Sequence, residues 1–306
     1  MRRGARRGPS EVSLPARGST PALYRGFATQ DELDAQYDAS RMVPNASAYT
    51  DFYLEQSRAA RAALECTADV AFGPTLTERL DIFPARRPDA PILIFVHGGY
   101  WRSRSRKEFS FVARGPVSAG VTVVVTDYAH CPAVTVDEVV RQTRAAAAWV
   151  HAHARDFGAN PGRIHVAGHS AGGHLGAMLL STEWERDFGL PTDLVKSGFL
   201  ISGLFDLAPL PYTWLQPSLQ LTWGQVLRNS PVCRLPAKAG PLIVSYGELE
   251  SAEFRRQGDD FLSAWRDHGL AGDLLVQPEK NHYTVIDGFL EHGSAMCQAL
   301  IAQIEA

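Results

Sequence analysis

Two six-residue runs, Pro91-Ile-Leu-Ile-Phe-Val96 and Val121-Thr-Val-Val-Val-Thr126, are apolar almost without interruption. A strand with one wet face alternates apolar and polar residues. A strand covered on both faces does not, and such strands belong to parallel sheets flanked by helices. Further strand-length segments lie at 79–83, 163–167, 198–202, 241–246 and 273–277. Helical patterns separate them. Residues 31–64 read as helix with short breaks, one at Pro44. In 135–158, Val136, Val139, Val140, Ala147 and Val150 recur at helical spacing behind the capping box Thr135-Val-Asp-Glu138. Residues 175–180 follow as a third helix. Residues 253–268 turn Phe254, Phe261, Leu262 and Trp265 to one side, and a last helix over 285–304 is interrupted near Gly293. Strand–helix alternation of this length predicts an α/β fold with right-handed crossovers. Periodicity alone does not separate an open sheet from a barrel.

The 306 residues show no repeat and no long Pro/Ser/Gly linker, so one domain over 23–306 is expected. Residues 1–22 differ in kind: Arg2, Arg3, Arg6, Arg7 and Arg17 stand against one acid, Glu11. They share the Arg-rich, acid-poor composition of a transit peptide but read better as a disordered basic tail. Lys+Arg total 30 and Asp+Glu 33, a net charge of −3, which excludes a protein held to nucleic acid by phosphate neutralisation. No apolar stretch approaches the ~18 residues of a membrane span. Cys66, Cys131, Cys233 and Cys297 are scattered, with no C-x-x-C pair. They read as free thiols of a cytoplasmic protein, with no metal and no cofactor expected. The expected partner is a small-molecule substrate, with a homodimer as the candidate assembly.

Gly168-His-Ser-Ala-Gly172 lies between an apolar strand and a helix. Ser170 on so sharp a turn is exposed for attack, and side chains two residues before or after it would collide, which accounts for the glycines. The following helix offers the Ala171 amide to developing negative charge. His97-Gly98-Gly99-Tyr100-Trp101 directly follows the 91–96 strand. In α/β-hydrolases this position supplies further oxyanion donors, here Gly98, Gly99 and Tyr100. His97 precedes Ser170, so it reads as a brace for the loop and not as the base.

The chain order in such enzymes is Ser, acid, His. His282, after the last strand, fits the base. His165, His169 and His174 crowd the elbow, while His151, His153, His268 and His292 belong to helices or their ends. The acid should close the 241–246 strand, where Glu248, Glu250 and Glu253 compete. Glu250 is preferred because Ser251 has the character of the next helix's N-cap, leaving Glu250 in the loop. Glu248 is second and Asp206 third.

These residues resemble the kynurenine formamidase (arylformamidase) branch of the α/β-hydrolases, near the hormone-sensitive-lipase-like esterases. The resemblance rests on His97-Gly-Gly-Tyr-Trp101, Gly168-His-Ser-Ala-Gly172, Ser202-Gly-Leu-Phe-Asp206-Leu207 and Glu250-Ser-Ala-Glu-Phe-Arg-Arg-Gln257. It implies a mostly parallel central sheet with helices on both faces and a helical N-terminal cap segment. It also implies a Ser170–His282–Glu250 triad, with Glu250 where the family usually has Asp. The implied activity is hydrolysis of an aryl formamide through an acyl-enzyme. A short-chain carboxylesterase is the alternative, and a non-catalytic ligand-binding member of the fold a distant one. Trp101, Phe205, Tyr212 and Trp214 are the expected substrate-binding aromatics, placed to stack a flat leaving group.

Overall fold

The computed structural model describes residues 22–306, and the basic tail expected over 1–22 lies outside them but for its last residue. Helices α1 (Gln30–Tyr37) and α2 (Ala46–Ala63) come first, capped by Thr29 and Asn45. Strands β1 (Thr67–Ala71), β2 (Arg79–Phe83) and β3 (Ala90–Val96) follow. Then come α3 (Arg114–Ser118), β4 (Thr122–Thr126), α4 (Val136–His153), β5 (Ala159–His169) and α5 (Ala171–Leu180). The second half runs α6 (Trp184–Phe188), β6 (Val195–Ile201), α7 (Gln216–Leu219), α8 (Trp223–Asn229) and β7 (Leu242–Gly247). It closes with α9 (Ala252–Asp267), β8 (Gly272–Gln277) and α10 (Ala295–Glu305).

The eight strands form one open sheet in the order β1-β2-β4-β3-β5-β6-β7-β8. Only β1–β2 and β2–β4 pair antiparallel; β4 through β8 are parallel neighbours. All residues of β3 and β4 are buried, and their side chains divide between the two faces. Ile92, Ile94 and Val96 join Val136 and Val139 of α4 and Phe254 and Phe261 of α9 on one face. Leu93 and Phe95 meet Tyr53 of α2 and Leu300 of α10 on the other. Each such side chain, fully withdrawn from water, stabilises the fold by roughly 1.5–3 kcal/mol. This double coverage is why the apolar runs are continuous. The Thr135 hydroxyl caps α4, but the Glu138 carboxylate does not close the expected capping box. It turns instead to Arg141 and Gln142.

Five of the parallel strands end on one edge of the sheet, and the loops after β3, β5, β6, β7 and β8 carry every candidate residue. No helix is long and apolar enough to cross a membrane among the described residues.

Candidate active site

The β5–α5 turn holds Ser170 at φ 57°, ψ −119°, a conformation that costs an L-residue of order 1–3 kcal/mol. The close approach around it explains the glycines. A Cβ on Gly168 would lie 2.1 Å from the Gly172 carbonyl oxygen, and one on Gly172 would lie 1.9 Å from that of Val96. The Ser170 amide donates to the Ile201 carbonyl at 2.8 Å, pinning the turn to β6.

Of the competing acids, Glu250 reaches the histidine. His282 Nδ1 donates to Glu250 Oε2 at 2.7 Å. The other carboxylate oxygen, Oε1, accepts from Ser202 Oγ at 2.5 Å and from the Gly247 amide at 2.7 Å. Ser251 caps α9, as its place in the sequence suggests, and leaves Glu250 in the loop. Glu248 instead accepts from the Glu279 amide at 3.2 Å. Glu253 accepts from the Tyr37 hydroxyl at 2.7 Å and pairs with Arg256. Asp206 accepts from the Tyr24 hydroxyl at 3.1 Å.

The loop after β3 is braced from below. The His97 ring lies 4.4 Å from that of Tyr128, with Nε2 3.0 Å from Asp127 Oδ1 and Nδ1 2.7 Å from the Gly98 oxygen. Burial alone would raise the Asp127 carboxyl, but the hydrogen bond to His97 and the Arg106 guanidinium outweigh it and hold it below its usual range. Above this brace, Gly99, Tyr100 and Trp101 all have positive φ, 115°, 50° and 54°. Among the described residues, the amides of Gly99, Tyr100 and Ala171 have no protein acceptor. A Cβ on Gly98 would come within 3.1 Å of Ser170 Cβ, so a larger residue there would press this stretch of backbone away from the serine.

A cavity of about 200 Å³ opens on this edge, lined by Ser170, His282, Gly98, Gly99 and Tyr100. Ala171 does not line it with its side chain, which is buried. The aromatic set needs correction. Trp214 lines the cavity, but Trp101, Phe205 and Tyr212 do not. Trp101 is fully buried and donates its Nε1–H to His174 Nδ1 at 3.1 Å. Phe205 is buried and stacks on Phe261 at 4.2 Å. Tyr212 packs between Tyr24 and Trp223 at 6.2 and 6.0 Å. Large rings next to a candidate site are as useful for holding the loop as for holding a ligand, and the sequence does not distinguish the two.

Other lining residues went unread. Asp38, Ala39 and Ser40 come from the α1–α2 connection and Tyr53 from α2, so the N-terminal segment forms one wall. The Tyr53 hydroxyl donates to the Tyr283 carbonyl at 2.5 Å, and Tyr49 stacks on Tyr283 at 4.9 Å. Thus α2 buttresses the loop that bears His282. His169, inside the elbow pentapeptide, donates from Nε2 to the His282 carbonyl at 2.9 Å, while its Nδ1 has no partner. Burial, with the nearby His282 second, holds the His169 imidazole neutral, its pKa well below the ordinary value. Among the described residues, no group of three His, Cys, Asp or Glu side chains could hold a metal.

A strand-to-helix elbow bearing a serine, a carboxylate-paired histidine and an open sheet with β2 antiparallel define an α/β-hydrolase, and the protein is a hydrolase. Comparison with known proteins narrows this. Residues 80–196 match the BD-FAE family model. Kynurenine formamidase of Danio rerio is 30% identical over 289 residues, 90% of this chain and 97% of the relative. Esterase LipQ of Mycobacterium tuberculosis is 28% identical over 240 residues, 71% of this chain and 56% of the relative. A crystal structure from silicibacter sp. tm1040, provisionally described as a thioesterase, superposes with TM-score 0.79 at 27% identity, covering 90% and 99% of the two chains. The chain belongs to the kynurenine formamidase family.

Proposed function

We propose that the protein hydrolyses small-acyl aryl amides, formamides of the N-formylkynurenine kind, through a formyl-enzyme. Ser170 Oγ attacks the formyl carbonyl while His282 Nε2 takes its proton. Glu250 fixes the imidazole so that Nε2 faces the serine, and stabilises the imidazolium as it forms. The amides of Ala171 and of the Gly99–Tyr100 turn receive the oxyanion, with Gly98 letting that loop approach. His282 returns the proton to the departing aryl amine. Water, activated by the same histidine, then releases formate. The observation that carries this reading is the 2.7 Å Glu250–His282 pair opening on the same small cavity as the strained Ser170. A cavity of about 200 Å³ suits a small acyl group better than a long chain. The Danio rerio relative supports the formamide. The esterase relatives support a second reading, a carboxylesterase for short chains. The scattered, unpaired Cys66, Cys131, Cys233 and Cys297 support a cytoplasmic setting.

The test is formate release from N-formylkynurenine beside a chain-length series of p-nitrophenyl esters. Formamide turnover, with ester kcat/KM falling steeply beyond butyryl, is expected. Ser170→Ala should neither turn over substrate nor be labelled by a fluorophosphonate. A preference for octanoyl or longer chains overturns the small-acyl reading. Short-ester turnover without formamide turnover leaves the carboxylesterase.

A further inference from the structure

Arg102 stands apart from the arginines around it. Arg104 pairs with Glu108 at 2.7 Å, Arg106 with Asp81 at 2.9 Å, and Arg41 with Asp31 at 3.0 Å. Arg102 makes no ion pair among the described residues, yet it lines the same cavity as Ser170 and is exposed at its mouth. Nor is it loosely solvated. Its guanidinium lies over the Trp214 ring, 5.2 Å from the centroid. Trp214 is in turn set edge-on to Tyr100 at 5.9 Å, and the Tyr100 hydroxyl is tied to the Tyr37 carbonyl. The contact leaves the guanidinium N–H donors free, since none of them bonds to another described residue.

The acidic residue that lines the cavity, Asp38, is already engaged. Asp38 Oδ1 accepts from the Ser40 amide at 3.1 Å and hydroxyl at 2.5 Å, and Oδ2 faces Arg41 Nε at 3.3 Å. The unspent charge at the mouth is therefore positive, held on an aromatic platform with a fork suited to a carboxylate.

We propose that Arg102 binds a carboxylate on the leaving group, so that the enzyme selects aryl formamides bearing an acidic side chain over neutral ones. The formamide part of this statement rests on the function proposed above; the selection by charge does not. The contact is made by the part of the substrate that departs, so it acts on formation of the acyl-enzyme and not on its hydrolysis. It lies at a half-wet mouth, so salt weakens it.

The experiment compares kcat/KM for N-formylkynurenine, which carries a carboxylate, with that for formanilide, which does not. Wild type, Arg102→Gln and Arg102→Lys are measured at low and high salt. In Arg102→Gln the ratio of the two values should fall about tenfold, the loss expected for one charge-assisted contact at a partly exposed site. The fall should come mainly through KM. Arg102→Lys should restore part of the ratio, and high salt should shrink it in wild type and Arg102→Lys but not in Arg102→Gln. A ratio unchanged in Arg102→Gln overturns the proposal, as does an equal loss on both substrates. If wild type hydrolyses neither formamide, the formamidase reading fails by itself. The same ratio is then taken with 3-(2-acetoxyphenyl)propanoate and phenyl acetate, and it decides the role of Arg102 by the same criteria.

Discussion

Glu250 is held by more than His282. Ser202 Oγ and the Gly247 amide take its Oε1, leaving Oε2 to face the imidazole. A longer acid in the place of the family's usual Asp needs such a clamp, because its extra rotatable bond must be frozen. Glu250→Gln should lower kcat by roughly 10⁴-fold, the loss seen when an orienting carboxylate is removed, whereas Glu248→Gln should change it little. A reversed result would reassign the acid. Ser202→Ala leaves Oε1 with one donor fewer and should cost about tenfold in kcat, with no comparable change in KM. His169 offers a parallel case through its bond to the His282 carbonyl. His169→Phe removes that donor and should lower kcat, and His169→Gln, whose side-chain amide can still donate, should recover most of it. Equal losses in both variants would show that the ring's packing matters and the donor does not.

At the scale of elements, legibility followed burial. β3 and β4 are buried along their whole length, and their apolar runs disclosed both strands to within a residue. The elbow was equally plain, since a strand, two glycines around a serine and a helix admit few geometries. β1 was not seen. It is an edge strand with a mostly exposed face and a bulge between Thr67 and Val70, so no periodicity marks it. The short helices α6, α7 and α8 were missed because four to seven residues are too few to show a period. The cavity wall from α1 and α2 was hidden for another reason: which remote segment packs over a site is a tertiary choice that local pattern does not record. The elbow itself yields a prediction. In Gly172→Ala the new methyl would sit 1.9 Å from the Val96 oxygen, and backbone cannot yield cheaply. Loss of about 3 kcal/mol or more in urea unfolding is expected, or failure to accumulate folded protein. A variant of wild-type stability would mean that β3 and α5 can move apart.

For the molecule as a whole, three buried imidazoles set the response to acid. Burial, aided by Arg163, pushes His165 down to about 4; burial pushes His174 to about 4; burial, with His282 second, holds His169 well below its ordinary value. In the unfolded chain such groups take up a proton near 6.5. The unfolded state therefore binds more protons between these values, and stability present above pH 6.5 drains away as pH falls toward 4. Asp287 works the other way: burial raises it to about 6, so its contribution is present below about 4 and lost as pH rises through 6. With His130, which burial also lowers, the imidazoles outweigh the one carboxyl, and thermal midpoints should drop from pH 7 to pH 4.5. His165→Gln should narrow the stability difference between pH 7 and pH 4.5 by about 2–3 kcal/mol in urea unfolding, and an unchanged difference would place the acid sensitivity elsewhere. The wall that α1 and α2 give the cavity also has a consequence in time. Tyr37 and Tyr53 are joined to Glu253 and Tyr283 across 216 and 230 positions of sequence. At roughly 5–20 residues per second of synthesis, Tyr37 and Tyr53 wait on the order of 10–50 s for these two partners, whereas Phe109 and Phe111, which also pack on Tyr53, follow it within about 3–12 s. A nascent chain that has not passed residue 276 has the elbow and α2 but no His282. Until that histidine emerges, the elbow and the α2 wall are in place without the imidazole that the proposed reaction needs.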